Sequence, residues 1–329
     1  MSPILRILIG GACTVLIIAG LKAASDIVGF VLIAVMLAIS ITPVVIFLTN
    51  KGLKRGLSLF ITIFSLLIVG IMLVTLLGTS VVELSTTLPT YESRMQELIV
   101  SIDAVLEKYN FDIDKLIAQS ELDTKRLVQI ATSLLSKLGN SLGSGIFLII
   151  VVSLMVVEFS GYEYKIQTGD IHPGSLSARM YEVRTEIRKF LSITALTGFM
   201  SSVCNVILLL ALGVEFAVLW GVLSFFFNFI PVIGAILALL PPFLLALIQF
   251  GWTKAIIVVV GFVLFNNIAD NVIKPKLMKD GLNISILVIF LSLFFWNWVL
   301  GFAGAILAIP LTITITKIYA ELSKEHDIL

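Results

Sequence analysis

The sequence predicts an all-α, polytopic helical membrane protein, and three observations lead there. The 329-residue chain is 59% hydrophobic and only 13% charged, where soluble domains carry roughly 25% charged residues. Uncharged runs recur along it: Ile7 to Leu21, Ile27 to Asn50, Gly56 to Val82, Leu138 to Val157, Phe190 to Val214, Phe216 to Thr253, Ala255 to Ala269 and Gly281 to Thr316. Most reach the roughly 20 residues a helix needs to cross a bilayer, and Arg6, Lys22, Lys254 and Lys274 can snorkel at the ends of the two shortest. Finally, one apolar pattern with a break near its middle occurs twice. Leu223 to Leu237 reads Leu-Ser-Phe-Phe-Phe-Asn-Phe-Ile-Pro-Val-Ile-Gly-Ala-Ile-Leu, and Leu291 to Leu307 reads Leu-Ser-Leu-Phe-Phe-Trp-Asn-Trp-Val-Leu-Gly-Phe-Ala-Gly-Ala-Ile-Leu.

Residues 1–82 hold three expected spans. Arg6 before an apolar core and Ala23-Ala24-Ser25 after it imitate a signal peptide, but the next apolar run follows at once, so two retained spans forming a helical hairpin are expected. Residues 83–137 are an extramembrane amphipathic segment, because Tyr91, Met95, Leu98, Ile102, Val105 and Tyr109 keep the seam spacing of a helix. A second helical pattern follows the Asn110-Phe111-Asp112 turn through Leu127, Ile130, Leu134 and Leu138. The fourth span is 138–157. In the linker 158–189, Val183, Ile187 and Phe190 recur at helical spacing beside Arg179, Arg184 and Arg188, which predicts a helix lying on the anionic inner leaflet.

Two units follow, 190–253 and 254–318, before a cytoplasmic tail at 319–329. Each combines one span with a Pro/Gly-broken hairpin, since Phe216 to Thr253 and Gly281 to Thr316 are too long for one crossing and barely long enough for two. Lys189 starts the first unit inside and Lys254 starts the second outside, so the units are expected to have inverted topology. Lys and Arg distribution sets the orientation. With the N-terminus cytoplasmic, fourteen of the 22 basic residues fall inside, and six of the others sit in the long outer segment, where charge constrains topology less. Both termini are therefore expected on the cytoplasmic side.

A net charge of +1, with basic residues scattered among loops, offers nothing to nucleic acid. Cys13 and Cys204 lie in apolar runs and read as small hydrophobic side chains. No phosphate-binding Gly-x-x-x-x-Gly-Lys-Ser/Thr motif is present, so transport would draw on an ion or solute gradient. His172 and His326 have no metal-ligand partner at a recognised spacing, and no nucleophile elbow accompanies the serines. Neither an enzyme, a cofactor nor a metal site is expected.

Broken backbone at bilayer depth survives where protein or a watery cavity satisfies its polar groups, so the two breaks mark the candidate site. Pro231, Gly234, Gly301 and Gly304 are expected to shape the gates. Asn228 and Asn297 occupy matching places before the breaks and can cap freed backbone or coordinate a solute. Thr194, Gly198, Ser201 and Asn205 fall at i, i+4, i+7 and i+11, a stripe that either packs helices or lines a pathway. Asn266, Asp270 and Lys274 repeat every four residues, with Asn271 beside them. Asp270 is a candidate proton or cation relay, or half of an interfacial salt bridge. Glu215, the only charged residue between Lys189 and Lys254, is a second coupling candidate or a solvated loop carboxylate. Trp220, Trp252, Trp296 and Trp298 suit membrane interfaces.

Trp220-Gly221-Val222-Leu223-Ser224-Phe225, Asn228 to Gly234, Pro241-Pro242, Asn271 to Met278, and Leu300-Gly301-Phe302-Ala303-Gly304 through Pro310-Leu311-Thr312 together resemble the signatures of the bacterial autoinducer-2 exporter family of permeases. The resemblance covers nearly the whole chain, and Leu88-Pro89-Thr90-Tyr91 leans toward the autoinducer-2 transport branch. It implies an oligomer in the bacterial inner membrane, exporting the quorum-sensing furanone autoinducer-2 or exchanging sodium or lithium for protons. A scaffold whose working part is the extramembrane segment is a third class. Deleting residues 91–137 would separate it, since a permease core can keep solute flux without them.

Overall fold

A computed structural model describes residues 2–87, 91, 145–161, 176–278 and 285–326, and among these the regular elements are all helical. The seam positions Met95 to Tyr109, the pattern from Leu127 to Leu138, Lys165 and Lys279 lie outside the described residues.

Helix α1, Pro3–Ala23, begins where Ser2 Oγ accepts from Leu5 N–H at 3.4 Å, with Pro3 in the first turn where no N–H is needed. Ala24 alone separates it from α2, Ser25–Asn50. After a turn through Gly52 comes α3, Arg55–Thr87, and later α4, Gly145–Gly161. Ala34, Ala38 and Val45 of α2 pack on Val152 and Val156 of α4 in one buried cluster.

Helix α5, Leu176–Leu212, is continuous for 37 residues. The structure thus corrects the expectation of a separate surface helix before residue 190. Neither Gly nor Pro interrupts 176–197, and the apolar stripe faces protein instead of lipid. Val183, Ile187 and Phe190 are buried with Met36 and Ile39 of α2 and Leu307 and Ile313 near the C-terminus.

Hairpin 1 consists of α6, Ala217–Phe227, and α7, Ile233–Phe250. The 11 residues of α6 rise about 16 Å, roughly half of a ~30 Å hydrocarbon core. This arm by itself is too short to cross a bilayer as a helix. Helix α8, Trp252–Asn267, passes into a π-helical turn, Ile268–Ile273, and a short α9, Lys274–Leu277. Pro275 lacks the N–H that would bond the Asn271 carbonyl, and Asn267 Nδ2 instead bonds Val263 O at 2.8 Å. Both weaken the regular ladder where the helix widens.

Helix α10, Ile286–His326, breaks at Gly301, whose φ of 62° and ψ of −148° are non-helical. Trp296 Nε1 donates to Thr312 Oγ1 at 3.3 Å. In a straight helix those residues would stand about 24 Å apart, so 286–300 and 302–326 fold back on each other as hairpin 2.

Six helices among the described residues are long and apolar enough to cross a membrane, while α6 and the apolar parts of α1 and α4 are shorter. Their outer faces are greasy: Leu16, Met72, Leu154 and Ile236 are each more than 60% exposed. In water such a surface would be an association hazard. In a bilayer it faces lipid, and the buried residues concentrate where the hairpins meet α5 and α2.

Candidate solute site at the broken hairpins

The two breaks share a contact that fixes their shape. A Cβ at Gly234 would lie 1.8 Å from the Phe227 carbonyl oxygen, and one at Gly304 would lie 1.9 Å from the Trp296 carbonyl oxygen. Phe227 and Trp296 immediately precede Asn228 and Asn297. In each hairpin the returning arm presses its glycine onto a carbonyl of the incoming arm just before the Asn, and only a residue without a side chain fits.

Backbone conformations differ between them. Hairpin 2 turns on Gly301, where a Cβ would meet nothing within 4 Å. Hairpin 1 turns on Val232, at φ 62° and ψ −59°, with Ile233 N–H reaching the Pro231 carbonyl at 2.6 Å. That geometry is a γ-turn of the rare left-handed kind. For a β-branched residue it costs on the order of 1–3 kcal/mol. Phe229 and Ile230 N–H groups satisfy Phe226 and Phe227 carbonyls, and Gly234 N–H bonds Ile230 O at 3.1 Å.

The asparagines part company. Asn228 is half-buried and donates from Nδ2 to the Thr194 carbonyl at 3.1 Å, beside Gly198. Asn297 is exposed. Its neighbour Trp298 carries Lys22 Nζ 3.9 Å from its ring centroid, and a Cβ at Gly29 would touch Ala303. Hairpin 2 therefore turns against the α1–α2 corner, whereas hairpin 1 turns against α5.

The α5 stripe becomes the seam that holds α6. Asn205 is fully buried and donates from Nδ2 to Ser224 Oγ at 3.1 Å. Gly221 lies against Ser202 and Val206, and Gly198 against Asn228. Three oxygens along this face, Thr194 Oγ1, Ser202 Oγ and Asn205 Oδ1, are buried with no protein hydrogen-bond partner. Burial of that kind is unusual in a native protein and costs stability. Ser202 carries no sequence signal, and Ser224 enters only through the repeated pattern and the resemblance motif, because a serine in an apolar run is common.

The charged end lies one helical turn away on α5. Lys274 Nζ is 3.4 Å from Asp270 Oδ1 and 5.9 Å from the Phe190 ring centroid. Asp270 lies in the π-helical turn, a form that recurs at functional sites. Asn266 is half-buried on α8, and exposed Asn271 donates to Asn267 Oδ1 at 2.8 Å. Phe190 and Thr194 are successive positions on one α5 face, so that helix links the Asp270–Lys274 pair to the Asn228 turn.

Glu215 belongs to a different place, the mouth of hairpin 1. Tyr91 is buried there among Val81, Leu84 and Trp220. Its hydroxyl donates to Glu215 Oε2 and accepts from Gln249 Nε2 at 2.9 Å, while Gln249 Oε1 accepts from Glu215 N–H at 3.3 Å. Trp220 Nε1 bonds the Glu215 carbonyl and Lys254 Nζ the Leu212 carbonyl. The Tyr91 bonds tie that residue to both ends of hairpin 1, Glu215 before α6 and Gln249 at the end of α7. The only sequence signal for Gln249 was its isolation, as the sole hydrogen-bonding side chain of α7. Tyr91→Phe is expected to lower stability in detergent by on the order of 1 kcal/mol, since Glu215 is exposed. A melting temperature equal to wild type would show that the mouth is held by packing alone.

No group of His, Cys, Asp and Glu among the described residues is placed to hold a metal ion. What the hairpins assemble is a set of amide and hydroxyl groups at a broken backbone. The chain is 30% identical to the AI-2 transport protein TqsA of Escherichia coli over 96% of its own length and 92% of that protein's. It is 29% identical to the putative transport protein YhhT of Escherichia coli, with 97% and 91% covered, and 29% identical to a putative transport protein of Haemophilus influenzae, with 97% and 93% covered. Residues 12–324 match the family described as AI-2E family transporter, and the chain belongs to that family of membrane transport proteins.

Proposed function

We propose that this protein is a secondary permease of the bacterial inner membrane that exports autoinducer-2 or a similar small polar solute between two inverted hairpins. The observation that carries the reading is the meeting of the breaks. Ile230, at the tip of hairpin 1, lies in one buried cluster with Leu293, Trp296, Leu300, Ala305 and Ala308 of hairpin 2. Broken backbone inside the protein, flanked by asparagines and serines, is the arrangement that transporters use to handle solutes near the midplane. Similarity to the AI-2 transport protein TqsA supports the substrate class. Asn205, Asn228, Asn266, Asn271 and Asn297 are the polar contacts along the path, and Pro231, Gly234, Gly301 and Gly304 shape its gates. The protein works as a homo-oligomer with both termini in the cytoplasm.

Purified protein in liposomes tests this directly. Saturable autoinducer-2 movement without an internal pH change is expected, and its absence would overturn the assignment. One observation favours a sodium or lithium/proton antiporter as the second reading: Asp270, a carboxylate in a π-helical turn, paired with Lys274. With Asp270 40% exposed, that pair is worth about 0–1 kcal/mol. Asp270→Asn is accordingly expected to leave stability and furanone flux close to wild type. A sodium-driven pH change in wild-type vesicles that Asp270→Asn abolishes would make the protein an antiporter.

A further inference from the structure

We infer that Ile230 and Leu300 are the seal of the closed pathway, and that hairpin 1 is the element that moves to open it. The inference rests on the permease reading and adds to it the residues that gate. Each seal residue stands four positions before the glycine pressed on the opposite arm, Ile230 before Gly234 and Leu300 before Gly304. They are 4% and 3% exposed and lie in the same cluster. Two broken hairpins, each delivering an aliphatic side chain four positions before its pressed glycine to one buried cluster, close a route with dry packing that excludes water and polar solutes alike.

Strain identifies the moving partner. Both hairpins need one residue with positive φ beside the seal. Hairpin 2 places Gly301 there, which accepts the conformation without penalty. Hairpin 1 places Val232, which does not. Strained residues of this kind persist only where surrounding structure holds them and are suited to bistable elements. Withdrawing Ile230 lets Val232 return to an ordinary backbone well, so opening recovers part of the packing that it gives up. The short Pro231–Ile233 bond and the half-buried Asn228 contact to α5 are then the links that must rearrange.

Liposomes holding the full chain give two readouts, stopped-flow permeability to erythritol and flux of autoinducer-2. Ile230→Ala is expected to raise erythritol permeability by about tenfold or more over wild type, the scale of population shift that losing a buried aliphatic side chain brings. Leu300→Ala should leak in the same way. Val232→Gly relieves the strain without removing a seal contact, and is expected to slow autoinducer-2 flux by about fivefold with no leak. Monodisperse Ile230→Ala and Leu300→Ala that neither leak nor change flux would overturn the seal. Should those variants not fold, Val232→Gly decides, and an unchanged or faster flux overturns the gate. If wild type moves no autoinducer-2, the substrate assignment fails by itself, and the erythritol leak still reads the seal.

Discussion

Gly234→Ala and Gly304→Ala are expected to abolish transport and to destabilise the protein by at least about 3 kcal/mol each, the upper part of the range for overpacking a closed interior. The added Cβ meets a backbone carbonyl oxygen at 1.8 Å in one case and 1.9 Å in the other. A carbonyl cannot rotate away, so the arms must separate, and separation undoes the cluster in which Ile230 and Leu300 are buried. Close approach elsewhere predicts smaller effects. A Cβ at Gly221 would meet Val206 Cγ2 at 2.0 Å and one at Gly261 would meet Leu208 Cδ2 at 2.2 Å. Leu208 Cδ2 ends a flexible side chain and Val206 Cγ2 a stiffer, β-branched one, so about 1 kcal/mol is expected at Gly261 and about 2 kcal/mol at Gly221. Gly10 and Gly11 have nothing within 4 Å, and alanine there should stabilise α1 by roughly 0.5–1 kcal/mol. Thermal unfolding in detergent checks the ranking. Equal melting of Gly234→Ala and Gly10→Ala would remove the carbonyl contact as the determinant of the turn.

That ranking also shows where the sequence was legible. The repeated pattern located both breaks, because a Pro or Gly after an Asn recurs in two matching apolar runs, whereas isolated ones such as Gly10, Gly221 and Pro241 stay inside helices. It could not tell that Gly234 and Gly304 have the same job, since the number of residues between Asn and Gly differs by one in the two copies. Nor could it separate Asn228 from Asn297. Identical side chains before similar breaks differ because hairpin 1 turns against α5 and hairpin 2 against the α1–α2 corner, and long-range packing leaves no trace in local spacing. The surface helix expected before Phe190 failed for a related reason. Amphipathic periodicity says that one face is buried, not whether lipid or protein buries it, and here Met36, Ile39 and Leu307 do so. The Tyr91, Glu215 and Gln249 cluster joins residues from separate parts of the chain, and nothing in their local spacing says that they meet.

Asn205→Leu combined with Ser224→Ala is expected to hold or raise the melting temperature while cutting solute flux at least about tenfold, the pattern of a site kept for function against stability. The amide makes one hydrogen bond, from Nδ2 to Ser224 Oγ at 3.1 Å, and leaves Oδ1 buried without a protein partner. Removing both polar partners together with the orphaned acceptor removes a desolvation penalty of about 1–3 kcal/mol, and leucine keeps the branching of the amide at Cγ. Asn205→Leu alone strands Ser224, so it should be the less stable variant. Thr194 Oγ1 and Ser202 Oγ share the same α5 face and the same lack of partners, which makes the face too polar for a seam whose only task is adhesion. When hairpin 1 moves, these are the groups that its departure uncovers, and a hydroxylated furanone is a molecule able to satisfy them. A double variant that is both stable and fully active would return the stripe to simple helix packing, and the solute path would then have to lie on the Asn266 to Lys274 side of α5.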